Sequence, residues 1–175
     1  SITSFMAACV KLAAFGAMLR IMYVALGGLR WDWRPMFWVI AILTMFVGVI
    51  IALTQTDVKR MLAYSSIAHA GFLLIAVIAT NEQGIGGAMF YLLAYGVATI
   101  GAFGVVSLVR DSTGEATHLS SWAGLGKRSP WVAGAFTIFL LSFAGIPLTA
   151  GFIGKFAVFE AGVAGGAGWL VVVAV

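Results

Sequence analysis

A chain of 175 residues that is 62% hydrophobic and 9% charged, with a mean hydropathy of +1.09, is not written for water, because soluble proteins carry roughly 25% charged residues. Its net charge of +4 comes from cations scattered singly or in pairs between apolar runs, which excludes the basic stripe that nucleic acid requires. Cys9, His69 and His118 are too few for an iron–sulfur cluster, a zinc site or a disulfide framework, so neither a metal nor a bound cofactor is expected on this chain.

The chain opens at Ser1 without a charged n-region and stops inside the apolar run Trp169 to Val175. No signal peptide is read there, and residues 1–175 are expected to be a single membrane domain, an internal segment of a longer protein. A bilayer core about 30 Å thick needs about 20 apolar residues of helix. Stretches of that kind run from Ile2 to Leu29, Met36 to Thr54, Met61 to Thr80, Gly87 to Val109 and Trp131 to Ala161, and a sixth begins near Gly168. The fold class is therefore all-α, a polytopic transmembrane bundle with five full spans and the start of a sixth.

The first connection, Arg30 to Pro35, and the third, Asn81 to Gly86, must lie opposite the second, Gln55 to Arg60, and the long fourth, Arg110 to Pro130. Lys59, Arg60, Arg110, Lys127 and Arg128 stand on one side, against Arg30 and Arg34 on the other. By the positive-inside rule the loops 55–60 and 110–130 are cytoplasmic.

In the first span Lys11 lies about nine residues deep, roughly 13 Å along the axis. A lysine at the centre of a membrane helix costs about 2.5–3.5 kcal/mol on insertion scales, which points to a partner, a wet cavity or a function. The alternative is a stem that snorkels along lipid to the headgroups. Arg20 falls about half a turn round the same helix and does not give up its proton, so it reads as a headgroup or structural residue.

At the start of the third span, Asp57 is placed to cap the helix, and Lys59 and Arg60 to fix topology. Asp57 and Lys59 are also the candidates for proton uptake from the cytoplasm. Ser65 and His69 share a face at i and i+4. Imidazole titrates near pH 6.5 and a hydroxyl can order water, which suits a proton relay, although serines here also suit close packing. Glu82 and Glu160 fall near the opposite interface and His118 in the longest loop, where a solvated surface role is the default. Gly101 to Gly104 and Gly162 to Gly168 suit tight packing or a turn.

The fifth stretch is too long for one straight crossing and holds Gly145, Pro147 and Gly151 near its middle. Pro147 brings no N–H and crowds the Phe143 carbonyl, so a break around Gly145 to Gly151 is expected. Broken helices are tolerated at membrane depth only against protein or water, and in transporters they mark ion pathways. An ordinary proline kink is the alternative. Lys155 follows the break by two turns, and the same choice between function and snorkelling applies to it. P-loops, nucleophile elbows and His-Glu metal motifs are absent from the sequence.

Three stretches in order carry a resemblance. They are Lys11-Leu-Ala-Ala-Phe-Gly16, the run from Ala52 through Asp57-Val-Lys-Arg60 and Ser65-Ser-Ile-Ala-His69 to Gly71, and Ala144-Gly-Ile-Pro-Leu-Thr-Ala-Gly-Phe-Ile-Gly-Lys-Phe156 preceded by Gly124 to Pro130. The chain resembles the antiporter-like membrane subunits of respiratory complex I, the proton-pumping NADH:quinone oxidoreductase, and Gly154-Lys155-Phe156 favours the N-type among them. The resemblance implies inverted helical repeats, each with a broken helix, in a bacterial inner-membrane protein. It implies proton translocation through Lys11, matching the lysine that links two half-channels, and Lys155, matching the lysine of an exit half-channel. Its partners would be the other membrane-arm subunits and lipid, with FMN, iron–sulfur clusters and quinone held elsewhere in the complex. An Mrp-type cation/proton antiporter subunit and a structural spacer of the membrane arm are the alternatives.

Overall fold

The computed structural model describes residues 5–111 and 114–175. Four of its helices are long and apolar enough to cross a membrane: α1 Met6–Ala25, α2 Arg30–Leu53, α3 Val58–Ala79 and α4 Glu82–Leu108. Two half-length helices follow, α6 Pro130–Ala144 and α7 Ala150–Ala164, and then α8 Gly168–Ala174. Between α4 and α6 lie a hairpin of two short strands, β1 Arg110–Asp111 and β2 Gly114–Glu115, and a small helix, α5 Leu125–Arg128.

The transmembrane body is all-helical, and α3 and α4 form its centre. Nearly every residue of α3 from Leu73 to Ala79 is buried, as befits a helix enclosed on all sides. The α2 and α3 backbones approach closely at two glycines. A side chain on Gly48 would meet the Ala68 backbone, and one on Gly71 would meet Met45 and Thr44. Small residues replace the hydrophobic effect as the association device in lipid.

The connections explain the topology. At one face, the Val58 amide donates to the Thr117 carbonyl at 2.8 Å and Leu119 to Thr56 at 2.9 Å. The loop before α3 is thus stitched to the long loop after α4. At the opposite face, the Arg34 guanidinium donates to the Gly165 carbonyl at 2.5 Å and the Asn81 amide to the Ala161 carbonyl at 3.1 Å. The second and fourth connections therefore share a side, the arrangement used to count charges.

Several boundaries differ from the sequence expectation. Arg30 to Pro35 is not a connection: α2 starts at Arg30 and carries Pro35 inside its second turn. Only the bond that Pro35 would have donated to the Trp31 carbonyl is lost there, and the true turn, Leu26 to Leu29, is pinned by the Trp33 indole donating to the Leu26 carbonyl at 3.0 Å. Capping moves two other starts toward their loops, α3 to Val58 behind Asp57 and α4 to Glu82 behind Asn81. The paired strands β1 and β2 lie outside the helical reading, in the loop.

Candidate functional site

The long apolar stretch breaks at Gly145. That residue adopts φ 77°, its amide donates to the Ser142 carbonyl at 3.1 Å and Ile146 donates to Leu141 at 3.1 Å, the paired bonds of a Schellman stop. Pro147 then forbids resumption, Leu148 takes the left-handed conformation at φ 78°, and the Thr149 hydroxyl caps α7 by accepting from the Phe152 amide at 3.3 Å. A side chain on Gly151 would run into the Ser142 carbonyl, so the two half-helices touch where glycine permits it.

Lys155 closes this break. Side chains lean toward the N-terminus of their own helix, which carries the Lys155 amine from the second turn of α7 back across the gap. It donates to the Phe143 carbonyl at 2.9 Å and the Ala144 carbonyl at 3.2 Å. In a continuous helix the Phe143 carbonyl would accept from residue 147, which is a proline without an N–H. The lysine therefore supplies the donor that Pro147 lacks, at a helix C-terminus whose dipole favours a cation. Its stem passes Gly145, where an added side chain would approach the Lys155 Cδ at 2.9 Å, and its amine lies 4.8 Å from the Phe72 ring centroid.

Lys11 is held differently. It starts the α-helical part of α1 after a π-turn spanning Met6–Val10, and its amine donates to the Ser66 carbonyl on α3 at 2.6 Å, 5.7 Å from the Tyr95 ring centroid. Both amines end on backbone carbonyls, Lys11 on α3 and Lys155 on α6.

His69 stands between them, 5% exposed. Its Nδ1 shares a hydrogen bond with the Tyr91 hydroxyl. Its ring lies 4.7 Å from that of Tyr95 and 5.6 Å from that of Phe143. Tyr95 thus touches both Lys11 and His69, while Phe72 touches both His69 and Lys155. Ser65, His69 and Lys155 line one cavity of about 430 Å³. Lys11 lies outside that wall, across α3.

Asp57 and Lys59 sit apart from this group. The Asp57 carboxylate accepts from the Arg60 amide at 3.0 Å, capping α3, and its backbone bridges to that of His118. Partial burial tends to raise its pKa, but the Arg60 amide, the Thr117 hydroxyl and the Lys59 amide together hold it below the usual aspartate value. Lys59 pairs with Glu115, and its ammonium holds the glutamate below its ordinary range. These two residues latch the loops of one face together.

Sequence reasoning missed Tyr91, Tyr95 and Ser66. All lie on helices whose sequence is apolar nearly all the way round, so no periodicity in the sequence singles out the buried face on which Tyr91 and Tyr95 stand. The Ser66 contribution is a main-chain carbonyl, to which residue type gives no clue.

Residues 1–175 match the family described as NADH:quinone oxidoreductase/Mrp antiporter, transmembrane. Over 174 residues the chain is 67% identical to NADH-quinone oxidoreductase subunit N 3 of Streptomyces griseus, covering 99% of this chain and 31% of that protein. It is 67% identical to NADH-quinone oxidoreductase subunit N of Rhodococcus opacus, covering 99% and 32%. The chain spans about a third of the length of these relatives. Among solved structures it resembles a chain of the Mrp complex of Dietzia sp., with a TM-score of 0.82, 28% identity and coverage of 93% and 30%. A chain of an archaeal membrane-bound sulfane sulfur reductase gives a TM-score of 0.79 and 27% identity, with coverage of 99% and 37%.

Proposed function

The chain belongs to the NADH:quinone oxidoreductase/Mrp antiporter transmembrane family, and from that premise we propose that it is part of an N-type subunit that moves protons in a bacterial NADH:quinone oxidoreductase. The membrane is the bacterial inner membrane, with loops 55–60 and 110–130 facing the cytoplasm. The neighbours are the other membrane-arm subunits and lipid. FMN, iron–sulfur clusters and quinone belong to those other subunits, and quinone reduction there acts on this chain through electrostatics.

The observation that carries this reading is the placing of two amines inside a membrane bundle, with a histidine and two tyrosines between them. Each amine is held by carbonyls alone and has no carboxylate partner among the described residues. Without a counter-ion, the charge on each amine responds directly to a change in the local potential. The His69 imidazole and the Tyr91 and Tyr95 hydroxyls are groups through which a proton can pass between Lys11 and Lys155. Identity of 67% to subunit N proteins against 28% to the Mrp chain favours this reading over a cation/proton antiporter.

The test is proton translocation by the intact complex in proteoliposomes driven by NADH. Lys155→Met and Lys11→Met are expected to lose most of the proton flux while the complex still assembles. Full proton stoichiometry in both variants would leave the segment a structural spacer, and sodium flux exceeding proton flux would favour the antiporter.

A further inference from the structure

The face opposite Lys59 carries two cations against the grain of the charge distribution. Arg30 and Arg34 stand four residues apart in the first two turns of α2, on the side where Lys and Arg are scarce because they resist translocation. They sit at a helix N-terminus without a side-chain cap, the end whose dipole disfavours a cation. Asp32 lies in the same turn but pairs with neither. Arg34 is fixed by its bond to the Gly165 carbonyl, in the turn between α7 and α8, which uses one of the five donors of a guanidinium. Arg30 is exposed and lies over the Trp31 ring.

A groove of about 440 Å³ opens between these elements, lined by Trp31, Arg34, Pro35, Trp38 and Gly166. Its four α2 residues recur at i, i+3, i+4 and i+7 and so share one face, over a rise of about 10 Å. That face is graded. Arg34 and Trp31, with Arg30 beside them, form its outer end and Pro35 and Trp38 its inner end, and from Val39 to Ile50 every exposed side chain of α2 is a hydrocarbon. The groove reaches main chain at Gly166, which at φ 76° has open space where a side chain would stand. A guanidinium fork fits phosphate oxygens, indole rings favour the headgroup level, and the volume is that of a small-molecule site.

We propose that this groove binds one anionic phospholipid, with its phosphate on Arg34 and Arg30, its glycerol against Trp31 and Trp38, and an acyl chain along α2 below Trp38. The anion offsets the two charges at the start of α2, where a helix N-terminus itself favours a phosphate. Through Arg34 it also joins α2 to the turn that follows α7. On the charge-based orientation the lipid belongs to the outer leaflet. The site is independent of the proton-translocation reading, since it needs only a membrane-embedded chain.

The test is photo-crosslinking of the intact complex in phosphatidylcholine vesicles that contain a minor share of phosphatidylglycerol, with p-benzoylphenylalanine in place of Val39, an exposed residue next to Trp38. Mass spectrometry of the adducts is expected to show phosphatidylglycerol enriched about tenfold over its share of the vesicle, the discrimination of one hydrogen bond to a charged group. The enrichment is expected to vanish in Arg34→Gln and to fall several-fold in Arg30→Gln. Arg34→Gln also gives up the bond to Gly165, so the exposed Arg30→Gln decides the matter if the first variant does not assemble. Adducts that follow the vesicle composition overturn the site, as does enrichment unchanged by Arg30→Gln. A protein adduct in place of a lipid one overturns it too, because another helix would then cover the groove.

Discussion

Lys11 and Lys155 place an ammonium at membrane depth by opposite means. Lys11 reaches across to α3, a continuous helix, and shares a Ser66 carbonyl that also belongs to that helix's own ladder. Lys155 reaches back to α6, a helix that has ended, and takes up carbonyls left without amide partners by Gly145 and Pro147. The difference decides what each amine supports. Removing Lys11 leaves α3 fully bonded, whereas removing Lys155 takes the donor from the last carbonyls of a half-helix, and each such group left unpaired away from water costs about 1–3 kcal/mol. The charge of Lys155 is thus tied to the geometry of the break and that of Lys11 is not. A proton leaving Lys155 weakens its hold on α6 and gives the hinge a reason to move.

The contrast breaks most severely at Gly145. Gly145→Val forces a β-branched residue into φ 77°, a left-handed conformation that costs about 1–2 kcal/mol for an ordinary side chain, and it drives that side chain against the Lys155 stem. Thermal stability of the purified complex is expected to fall by at least that amount, and proton flux to drop as far as in Lys155→Met. Wild-type flux with Val at 145 would show that the break and the amine are independent.

A more moderate test compares the two lysines directly. Lys155→Met is expected to destabilise by about 2 kcal/mol, the value of a favourable cation at a helix C-terminus. Lys11→Met is expected to be neutral or slightly stabilising, because it removes a desolvated charge without orphaning a partner. Denaturation of the two variants side by side measures the difference. Equal losses would mean that the Ser66 carbonyl depends on its lysine as strongly as α6 does.

Much of this arrangement can be read in the residues. The apolar runs and their charged punctuation give the spans and the pairing of faces, because lipid allows few alternatives to a bonded helix. Gly145 and Pro147 give the break for the same reason. The start of α2 was misjudged because Arg30, Asp32 and Arg34 read as a loop, although tryptophans interleaved with charges suit a helix turn at the interface. At the site, the ionisable residues announce themselves by their rarity. Tyr91 and Tyr95 do not, since tyrosine among apolar residues is ordinary in a membrane helix. The carbonyls that hold both amines are invisible to sequence, being main-chain atoms chosen by packing.

The mildest expected effect lies outside the bundle, at the latch that the two lysines do not touch. Asp57 caps α3 through the Arg60 amide, so Asp57→Ala is expected to cost about 1 kcal/mol, the usual value of a lost N-cap. The sign of its pH dependence follows from the lowered pKa of the folded carboxylate. A carboxylate held below its unfolded value stabilises fully above the usual aspartate pKa of about 3.9, and that contribution fades as pH falls through the folded value. The gap in stability between wild type and Asp57→Ala should therefore be constant from neutral pH to about pH 5 and narrow only in stronger acid. Asp57→Asn, which caps without a charge, should keep most of the stability and lose the pH dependence. A gap that did not narrow even in strong acid would show that the cap acts through its hydrogen bond to the Arg60 amide alone and that the charge of Asp57 contributes nothing.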